Sequence, residues 1–382
     1  MTVILSAEVK DPLWKSGGGL LFDNLAPDTN SYSHEIAANG GFMSAEFSIP
    51  ANQVDAESWI DGLGRHIEVY DESLSLVWAG FVNEIEIVLG QFTVRRGPLL
   101  EVDNKVDVNY QTITYNTNGP IGGDPATTGF SSDTDSQDIY AIQENIISGG
   151  SIDSTQASEL LGTYLAENSL PQTSQDLSLG SGSGEVSVRL SCLGYFHFLK
   201  RYYYTQVATA ALGNLNTKLE TVLTADPNSI FSTDYNKVAA NTLQVTTYED
   251  GKANAHDIIM AMVNLGDAAD SRYTFGVYDD QRALYAAIPT SHEYEHRLAD
   301  DAMRILDLAG NEVTPWRVRP SKWLFVSDFL VGSPTPASLR EDPRMVFIES
   351  VRYNAPYGIS ISGGKTDKFA QKLARFGLGM IA

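Results

Sequence analysis

Short runs of alternating or β-branched residues, separated by turns that contain Gly and Asp, dominate the first 110 residues. Such runs predict β-strands, because successive side chains of a strand point to opposite faces of the sheet. The predicted strands are residues 45–49, 66–70, 76–87 and 92–94. The third is long for one strand, so we expect it to bend or bulge. The β pattern resumes at residues 186–193.

The pattern changes between residues 111 and 184. Segments 115–137 and 174–184 are rich in Gly, Asn, Thr, Ser and Asp, which is typical of exposed loops or linkers. Apolar residues at helical spacing predict helices over 138–148 and 154–168. The block therefore predicts a lobe of loops and helices inserted into a β domain.

The next segment mixes both patterns. A helical stripe is formed by Leu212, Leu215, Leu219 and Val222. A second helix is predicted over 253–265 and ends at Gly266, a residue suited to a C-terminal cap. Two short β-like runs, 273–278 and 282–288, flank a polar turn and predict a β-hairpin. The dense aromatic run at 194–204 predicts core or interface packing, because few basic residues accompany it.

The C-terminal part returns to β. Strands are predicted over 316–318, 322–329, 345–353 and 358–362, and a short helix over 368–376. We therefore expect a mainly β protein with α+β parts. The expected domains are 1–110 together with 185–205, the insert 111–184, a small α/β domain at 206–290, and a second β domain at 291–382. Segments 80–88 and 346–353 form a weak internal repeat.

Composition is that of an ordinary globular protein, with 43% hydrophobic residues over 382 positions. The longest apolar runs, such as 258–263, are too short to cross a bilayer, so we expect no membrane insertion. The sequence contains one cysteine, Cys192, so neither an internal disulfide nor a cysteine metal cluster can form. The first residues lack the basic and apolar regions of a signal peptide, which predicts synthesis in a cytosol.

The charge balance is strongly acidic, with 26 Lys and Arg against 48 Asp and Glu and a net charge of −22. Because binding to the nucleic-acid backbone requires cations that displace phosphate counterions, we expect no sequence-specific nucleic-acid binding. An acidic surface commonly serves solubility. It also suits a surface along which DNA passes without adhering.

One string matches a metal-site motif: His292, Glu293 and His296 follow the spacing H-E-x-x-H. On a helix this spacing places two imidazoles one turn apart with a carboxylate beside them, as in zinc hydrolases. Here ionisable residues crowd the motif, and the candidates for a third ligand lie in no second motif. Those candidates are Asp300, Glu312 and Asp328. A charged connector, helical or extended, is the interpretation we favour, so we expect no metal and no catalytic residue here.

Two other strings fall short of their motifs. Residues 361–366 (ISGGKT) resemble the end of a phosphate-binding loop, but Ile359 stands where its first glycine belongs. The side chains of Asp133, Asp135, Gln137 and Glu144 stand at calcium-loop positions, but Asp138 replaces the turn glycine. No nucleophile elbow is present, since residues 180–184 read GSGSG. We therefore expect no enzyme and no cofactor.

Several stretches together resemble the hub proteins of long-tailed bacteriophage tails, also called baseplate hub proteins. They are the strand 77–85 (VWAGFVNEI), the segment 193–203 (LGYFHFLKRYY), the hairpin 275–285 with F-G-V-Y and R-x-L-Y, and the C-terminal stretches 316–328 and 342–351. The likeness spans most of the chain, although each piece is diffuse. The insert 111–184 is not a strong feature of this family.

The resemblance implies a non-enzymatic ring component of the virion tail tip, assembled in the bacterial host cytoplasm. It implies two β-barrel domains like those of the tail tube, so that a homotrimer forms a pseudo-hexameric ring that provides a channel for DNA ejection. The implied neighbours are the distal tail protein, the tape measure protein and a central fibre or spike. The alternatives are a hexameric distal tail protein with one such barrel, a zinc hydrolase using His292, Glu293 and His296, and a carbohydrate-binding β protein.

Overall fold

The fold is described by a computed structural model. It covers residues 5–15, 19–25, 31–178, 186–204, 212–231, 237–245, 253–278, 283–299, 302–326, 345–354 and 358–364. The predicted class is confirmed, because the protein is mainly β with a few helices. No described helix is long and apolar enough to cross a membrane.

The first part of the chain forms seven strands and one short helix, α1 (Gln53–Glu57). The strands are β1 (Ser6–Lys10), β2 (Leu20–Leu25), β3 (Ser33–Ala37), β4 (Gly40–Pro50), β5 (His66–Tyr70), β6 (Leu76–Leu89) and β7 (Phe92–Arg96). The four strands predicted from the alternation are confirmed as β4 to β7. The long strand β6 does carry the expected irregularity, a register shift against β5 between Val69 and Tyr70.

The insert is more regular than the sequence predicted. Its strands β8 (Lys105–Asn116), β9 (Gly119–Thr127), β10 (Ser131–Ser132) and β11 (Glu144–Ile152) form a separate four-stranded sheet. The helix predicted at 154–168 is confirmed as α3 (Ser154–Asn168), which begins at a capping box between Asp153 and Gln156. A further strand, β12 (Thr173–Leu177), leaves the lobe and pairs with β7.

Two predictions for the insert are wrong. The loop expected over 115–137 contains β9 and a short helix, α2 (Thr134–Tyr140). The helix expected over 138–148 ends at Tyr140, and its second half is β11. Residues 144–152 form a strand instead of a helix because β11 pairs in parallel with β8. This pairing places Ile147 against Val106 and Val108 beneath α3.

The middle of the chain follows the predicted order. Strand β13 (Val186–Leu193) lies between β4 and β6 and leads into a 3-10 helix, Tyr195–Arg201. The elements that follow are β14 (Gly213–Asn214), α4 (Leu215–Thr224), β15 (Lys237–Val238), β16 (Gln244–Val245), α5 (Ala255–Leu265), β17 (Tyr273–Val277) and β18 (Ala283–Ala287). The predicted helices and the β17–β18 hairpin are confirmed, and Gly266 has a positive φ of 66°.

The C-terminal part contains β19 (Tyr294–Ala299), β20 (Ala302–Asp307), β21 (Trp323–Val326), β22 (Met345–Asn354) and β23 (Gly358–Gly364). Three of the predicted strands are present, although residues 327–329 lie outside the described residues. The strand predicted at 316–318 is wrong, because Pro315 opens a 3-10 helix, Pro315–Arg317. The helix predicted at 368–376 also lies outside the described residues.

Strand pairing joins the two β parts of the chain into one 17-stranded sheet. Its central order is β2–β1–β5–β6–β13–β4–β3–β22, and β22 continues to β21 and β19. Over the described residues the pairings close no barrel. The domain divisions and the barrel form of the two β domains therefore stay predictions.

The buried side chains form three clusters. The largest runs through the first β part and the middle segment, and its bulkiest members include Trp59, Trp78 and Phe198. The aromatic run after β13 belongs to it, as predicted: Tyr195, Phe196, Phe198 and Tyr202 are buried. A second cluster lies under β21 and β22, and a third lies between α3 and the insert sheet.

The middle hairpin reaches the first β part through a close contact of two glycines. Strand β17 pairs in parallel with the start of β4, with Gly276 opposite Gly40 and Val277 opposite Gly41. A Cβ on Gly41 would lie 2.1 Å from the backbone oxygen of Val277, and one on Gly276 would lie 2.7 Å from the nitrogen of Gly41. These positions therefore need glycine for the two backbones to meet.

The C-terminal β part is fastened to the first by a buried carboxylate. Asp71, in the turn between β5 and β6, accepts hydrogen bonds from Trp316 Nε1 at 3.1 Å and from Arg317 Nε at 2.8 Å. Its other oxygen accepts from the backbone nitrogens of Ser73 and Ser75. Burial alone would raise the pKa of Asp71, but these hydrogen bonds hold it well below its usual range. We call this arrangement the Asp71 clamp.

Asp71→Ala should lower the free energy of unfolding by about 2–4 kcal/mol, because it leaves the buried Trp316 indole without an acceptor and removes the hydrogen bonds of the half-exposed Arg317. Chemical denaturation of the full chain measures this loss. The matched control is Asp176→Ala, which removes an ion pair between Asp176, 66% exposed, and Arg95, 52% exposed. That change should cost less than about 1 kcal/mol. Equal losses in the two variants would show that the clamp is not a special contact.

Candidate functional site

The described surface carries a polar groove of about 510 Å³ on one face of the sheet. It lies across β4, β13, β6, β7 and β12, whose side chains alternate between this face and the core. Its charged lining residues are Glu46, Glu84, Glu86, Arg95, Arg96 and Arg189. We refer to it as the polar groove.

One end of the polar groove is a ladder of alternating charge. Glu86 on β6 lies between Arg189 on β13, at 2.8 Å, and Arg95 on β7, at 2.6 Å. Arg95 also pairs with Asp176 on β12. Because the two arginines are more than half exposed, these pairs contribute little to stability. The ion pairs of the ladder instead hold the charged side chains at defined positions on this face of the sheet.

The other end of the polar groove is acidic. Glu46 and Glu84 flank Ser191 in register across β4, β13 and β6. Burial, then the negative charges of Glu101 and Glu46, raise the pKa of Glu84. The two carboxylates make this end negative, so it favours a cationic or hydrogen-bond-donating neighbour.

The serines of the polar groove have no histidine beside them among the described lining residues. A serine hydroxyl is a weak nucleophile unless an adjacent base takes its proton.

The H-E-x-x-H segment does not form the helix that a zinc hydrolase needs. His296 lies in strand β19, opposite Ile305 of β20, and His292 precedes that strand and packs on Phe325 with ring centroids 5.4 Å apart. Glu293 forms an ion pair with Lys322. In an extended chain, residues four apart are separated by roughly 13 Å, too far to share one ion. Of the alternatives considered for this segment, the extended one is present.

The other motif residues are also dispersed. Asp133 caps α2 through a hydrogen bond from the Ser136 nitrogen, whereas Glu144 lies on β11 and pairs with Lys105 at 2.7 Å. Residues 361–364 belong to β23, and Lys365 and Thr366 lie outside the described residues. Within the described part of the chain, no group of three His, Cys, Asp or Glu is placed to hold a metal ion.

A buried network at His66 was not predicted. His66 Nδ1 lies 2.9 Å from the hydroxyl of Tyr195, and its Nε2 lies 3.0 Å from Glu68. Glu68 also accepts hydrogen bonds from Lys10 and Tyr70. The spacing of His66 and Glu68 on a predicted strand places them on one face, but nothing local identifies Tyr195 as the third member.

A histidine paired with a carboxylate can act as a general base, but this histidine is not accessible to a substrate. His66 is 1% exposed and both of its ring nitrogens have partners, so no substrate reaches it. Burial alone would raise the pKa of Glu68, but hydrogen bonds from His66, Lys10 and Tyr70 lower it to about 2. Burial also raises the pKa of Tyr195. The network therefore joins β5 to the 3-10 helix after β13.

Comparison with known proteins gives distant likenesses. No protein-family profile matches the sequence, and no curated protein matches it. The chain is similar to the tail protein from Neisseria meningitidis MC58, at 8% identity and a TM-score of 0.39, with 94% of each chain covered. It is similar to the 43 kDa tail protein of prophage MuSo2 from Shewanella oneidensis, at 8% identity and a TM-score of 0.42, with 97% of this chain and 98% of that chain covered. At these TM-scores neither likeness establishes a shared fold or function.

Glu68→Gln should destabilise the protein by about 2–3 kcal/mol at pH 7, because the folded state holds this carboxylate ionised with a lowered pKa. A lowered folded pKa stabilises above the unfolded value, near 4.5, and this contribution is lost as the pH falls toward 2. The difference between variant and wild type should therefore shrink by more than half at pH 3. Urea unfolding at several pH values measures it.

The control for this comparison is Glu72→Gln, at an exposed position in the turn after β5. It should change the free energy of unfolding by less than about 0.5 kcal/mol at every pH. A difference for Glu68→Gln that is the same at pH 7 and pH 3 would rule out a network held by an ionised Glu68.

The purified chain should contain no stoichiometric zinc, because His292 and His296 are too far apart in an extended segment to bind one ion. Elemental analysis by mass spectrometry measures the content. His292→Ala should leave it unchanged, as should His256→Ala, the control. One zinc per chain that is lost in His292→Ala alone would restore the hydrolase alternative.

Proposed function

We propose that this chain is a structural protein of a long-tailed bacteriophage, a hub of the tail tip that joins the tail tube to a central fibre or spike. The basis is the resemblance of its sequence to baseplate hub proteins. The structure adds a physical reason why those particular stretches matter.

The observation that carries the proposal is that three of these separate stretches meet around strand β4. Trp78 of the W-x-G stretch packs against Phe42, with ring centroids 6.3 Å apart. The backbone nitrogen of Gly194, in the L-G-Y stretch, donates to Met43 O at 2.8 Å. Gly276 of the F-G-V-Y hairpin pairs with Gly40. The resemblance thus rests on residues that hold the first β part and the middle segment together.

The W-x-G spacing has its own steric cause. Trp78 and Gly80 point to the same face of β6, since they are two residues apart. A Cβ on Gly80 would lie 2.4 Å from the Trp78 ring and 2.3 Å from Leu193 O. Gly80 therefore makes room for the ring and for the neighbouring strand β13. This supports a shared packing arrangement rather than shared chemistry.

The two β parts of the chain support a ring built from three copies. Strands β6 and β22, which carry the weak internal repeat, are 14 and 10 residues long and belong to the same sheet. A homotrimer in which each chain contributes two tube-like β-barrel domains makes a pseudo-hexameric ring. On this proposal the domains are 1–110 with 185–205, and 291–382.

The proposed neighbours are the distal tail protein, the tape measure protein and the central fibre or spike. The polar groove is the surface we assign to one of these contacts, because its fixed charges suit a protein partner. The net charge of −22 suits an acidic channel that repels DNA during ejection. A solved ring with a neutral or basic channel would contradict this last assignment.

The proposal makes the chain a virion component and not an enzyme. The zinc hydrolase is disfavoured by the extended form of the segment that contains His292 and His296. A hexameric distal tail protein is the nearer alternative, since it also belongs to the tail tip. The number of subunits in the ring separates it from the hub.

The purified full chain should assemble into trimers, because a trimer with two tube-like domains per chain matches a sixfold tube. Light scattering across a concentration series, followed by symmetry analysis of cryo-EM images, measures the subunit number. Rings of six chains would favour the distal tail protein. A chain that stays monomeric at all concentrations and together with tail-tube protein would contradict both.

A further inference from the structure

The joint between the two β parts contains an unusual buried cluster. Tyr32, His34 and Tyr353 are each at most 2% exposed. The His34 ring lies 5.5 Å from that of Tyr32 and 5.4 Å from that of Tyr353, centroid to centroid. His34 and Tyr353 face each other in register where β3 pairs with β22. We call these three residues the seam cluster.

Three buried polar atoms of the seam cluster have no protein hydrogen-bond partner within the described part of the chain. His34 Nδ1 and the hydroxyls of Tyr32 and Tyr353 are buried and bond to nothing among the described residues. Buried polar groups in folded proteins are nearly always bonded, because leaving water without a new partner is unfavourable. These three groups would therefore gain hydrogen bonds if the seam opened to water.

The seam also occupies a decisive place in the fold. Among the described strands, β3–β22 is the pairing that connects the C-terminal β part to the first one. The Asp71 clamp provides a separate and well-bonded connection between the same two parts. A weak seam beside a strong clamp allows the strands to separate locally while the two parts stay attached.

We propose that the β3–β22 seam is an acid-sensitive joint that opens locally in mild acid, when His34 takes up a proton that the closed seam excludes. The opening exposes the seam cluster to water, which satisfies its polar atoms. It leaves the rest of the sheet paired.

The environment of His34 explains why acid opens the seam. Burial first, and then the positive charge of Arg319, lowers the pKa of His34 to about 3 in the closed seam. In an open seam its pKa returns to an ordinary value near 6.5. The closed state is therefore fully stable above about pH 6.5 and loses stability as the pH falls from there toward 3. At pH 5.5 the opening equilibrium should rise about tenfold over its value at pH 8.

The other titratable groups around His34 keep their charge in this range. Burial raises the pKa values of the Tyr32 and Tyr353 hydroxyls and of the Cys192 thiol, so all three stay neutral. Arg319 stays positive.

The charged neighbours of the seam on either strand do not face the cluster. Glu35 and Arg352, which are paired in register beside His34 and Tyr353, point to the opposite face of the sheet. The pKa of Asp71 lies below its usual range, so the Asp71 clamp remains ionised in mild acid. His34 is thus the group of the described seam that changes charge.

Hydrogen exchange on the full chain tests the proposal. Peptides covering residues 33–37 and 350–354 are followed by mass spectrometry between pH 8 and pH 5.5, with rates corrected for intrinsic exchange. In both segments, the amides that bond across the seam should lose protection about tenfold over this range, while protection of β6 stays unchanged. His34→Phe, which keeps a ring but cannot take a proton, should abolish the pH dependence. His256→Phe, on α5, should preserve it.

A second variant tests the unbonded hydroxyls independently of the proton. Tyr32→Phe combined with Tyr353→Phe should raise protection of the seam at every pH and keep its pH dependence, because His34 is still present. Unchanged protection in this double variant would overturn the inference, and so would a pH dependence that survives His34→Phe. Seam segments that exchange only together with β6 would overturn it as well.

Discussion

The antiparallel pairing of β3 with β22 brings the C-terminal part of the chain into the sheet built by its first part. Strands β21 and β19 join the large sheet through β22, so this pairing sets their place in the sheet. Such a pairing closes a very long loop, so its entropic cost must be offset by specific contacts. The Asp71 clamp provides them, since one carboxylate receives an indole, a guanidinium and two backbone donors from both sides of the joint.

Local patterns predicted those elements whose burial is periodic along the chain. Strand β13 and helix α3 have the predicted bounds, because alternation and helical spacing there reflect the buried faces. Strand β11 was missed since its partner β8 lies far upstream in a parallel arrangement, and its isoleucines also fit a helix. The sequence of the segment from Tyr294 to Ile305 allows a helical or an extended connector, and pairing between β19 and β20 makes it extended. In both segments the pairing partner, which the local pattern does not reveal, decides the structure.

The candidate sites also divide into features that the local sequence predicts and features that depend on distant contacts. Strings that match catalytic motifs lie on strands or caps, where their residues diverge, whereas the buried His66 network joins elements that no string connects. The residues that resemble hub proteins are mostly large rings and the glycines that accommodate them. The spacing of these residues is set by how their side chains pack. This is why each stretch is weak as a sequence motif, although three of the stretches contact β4. The polar groove could be foreseen only as outward positions of alternating strands, because its charged lining residues come from four separate strands.

The insert has its entry and exit side by side, since the backbone nitrogen of Asp103 donates to the oxygen of Asn168 at 2.9 Å. Between these two residues the lobe has its own small core and its own sheet. Such a module can be lengthened, shortened or exchanged without changing the distance between its two attachment points. Natural variation in length among relatives should therefore concentrate here, and an epitope tag placed at the exposed turn between β8 and β9 leaves the large sheet intact.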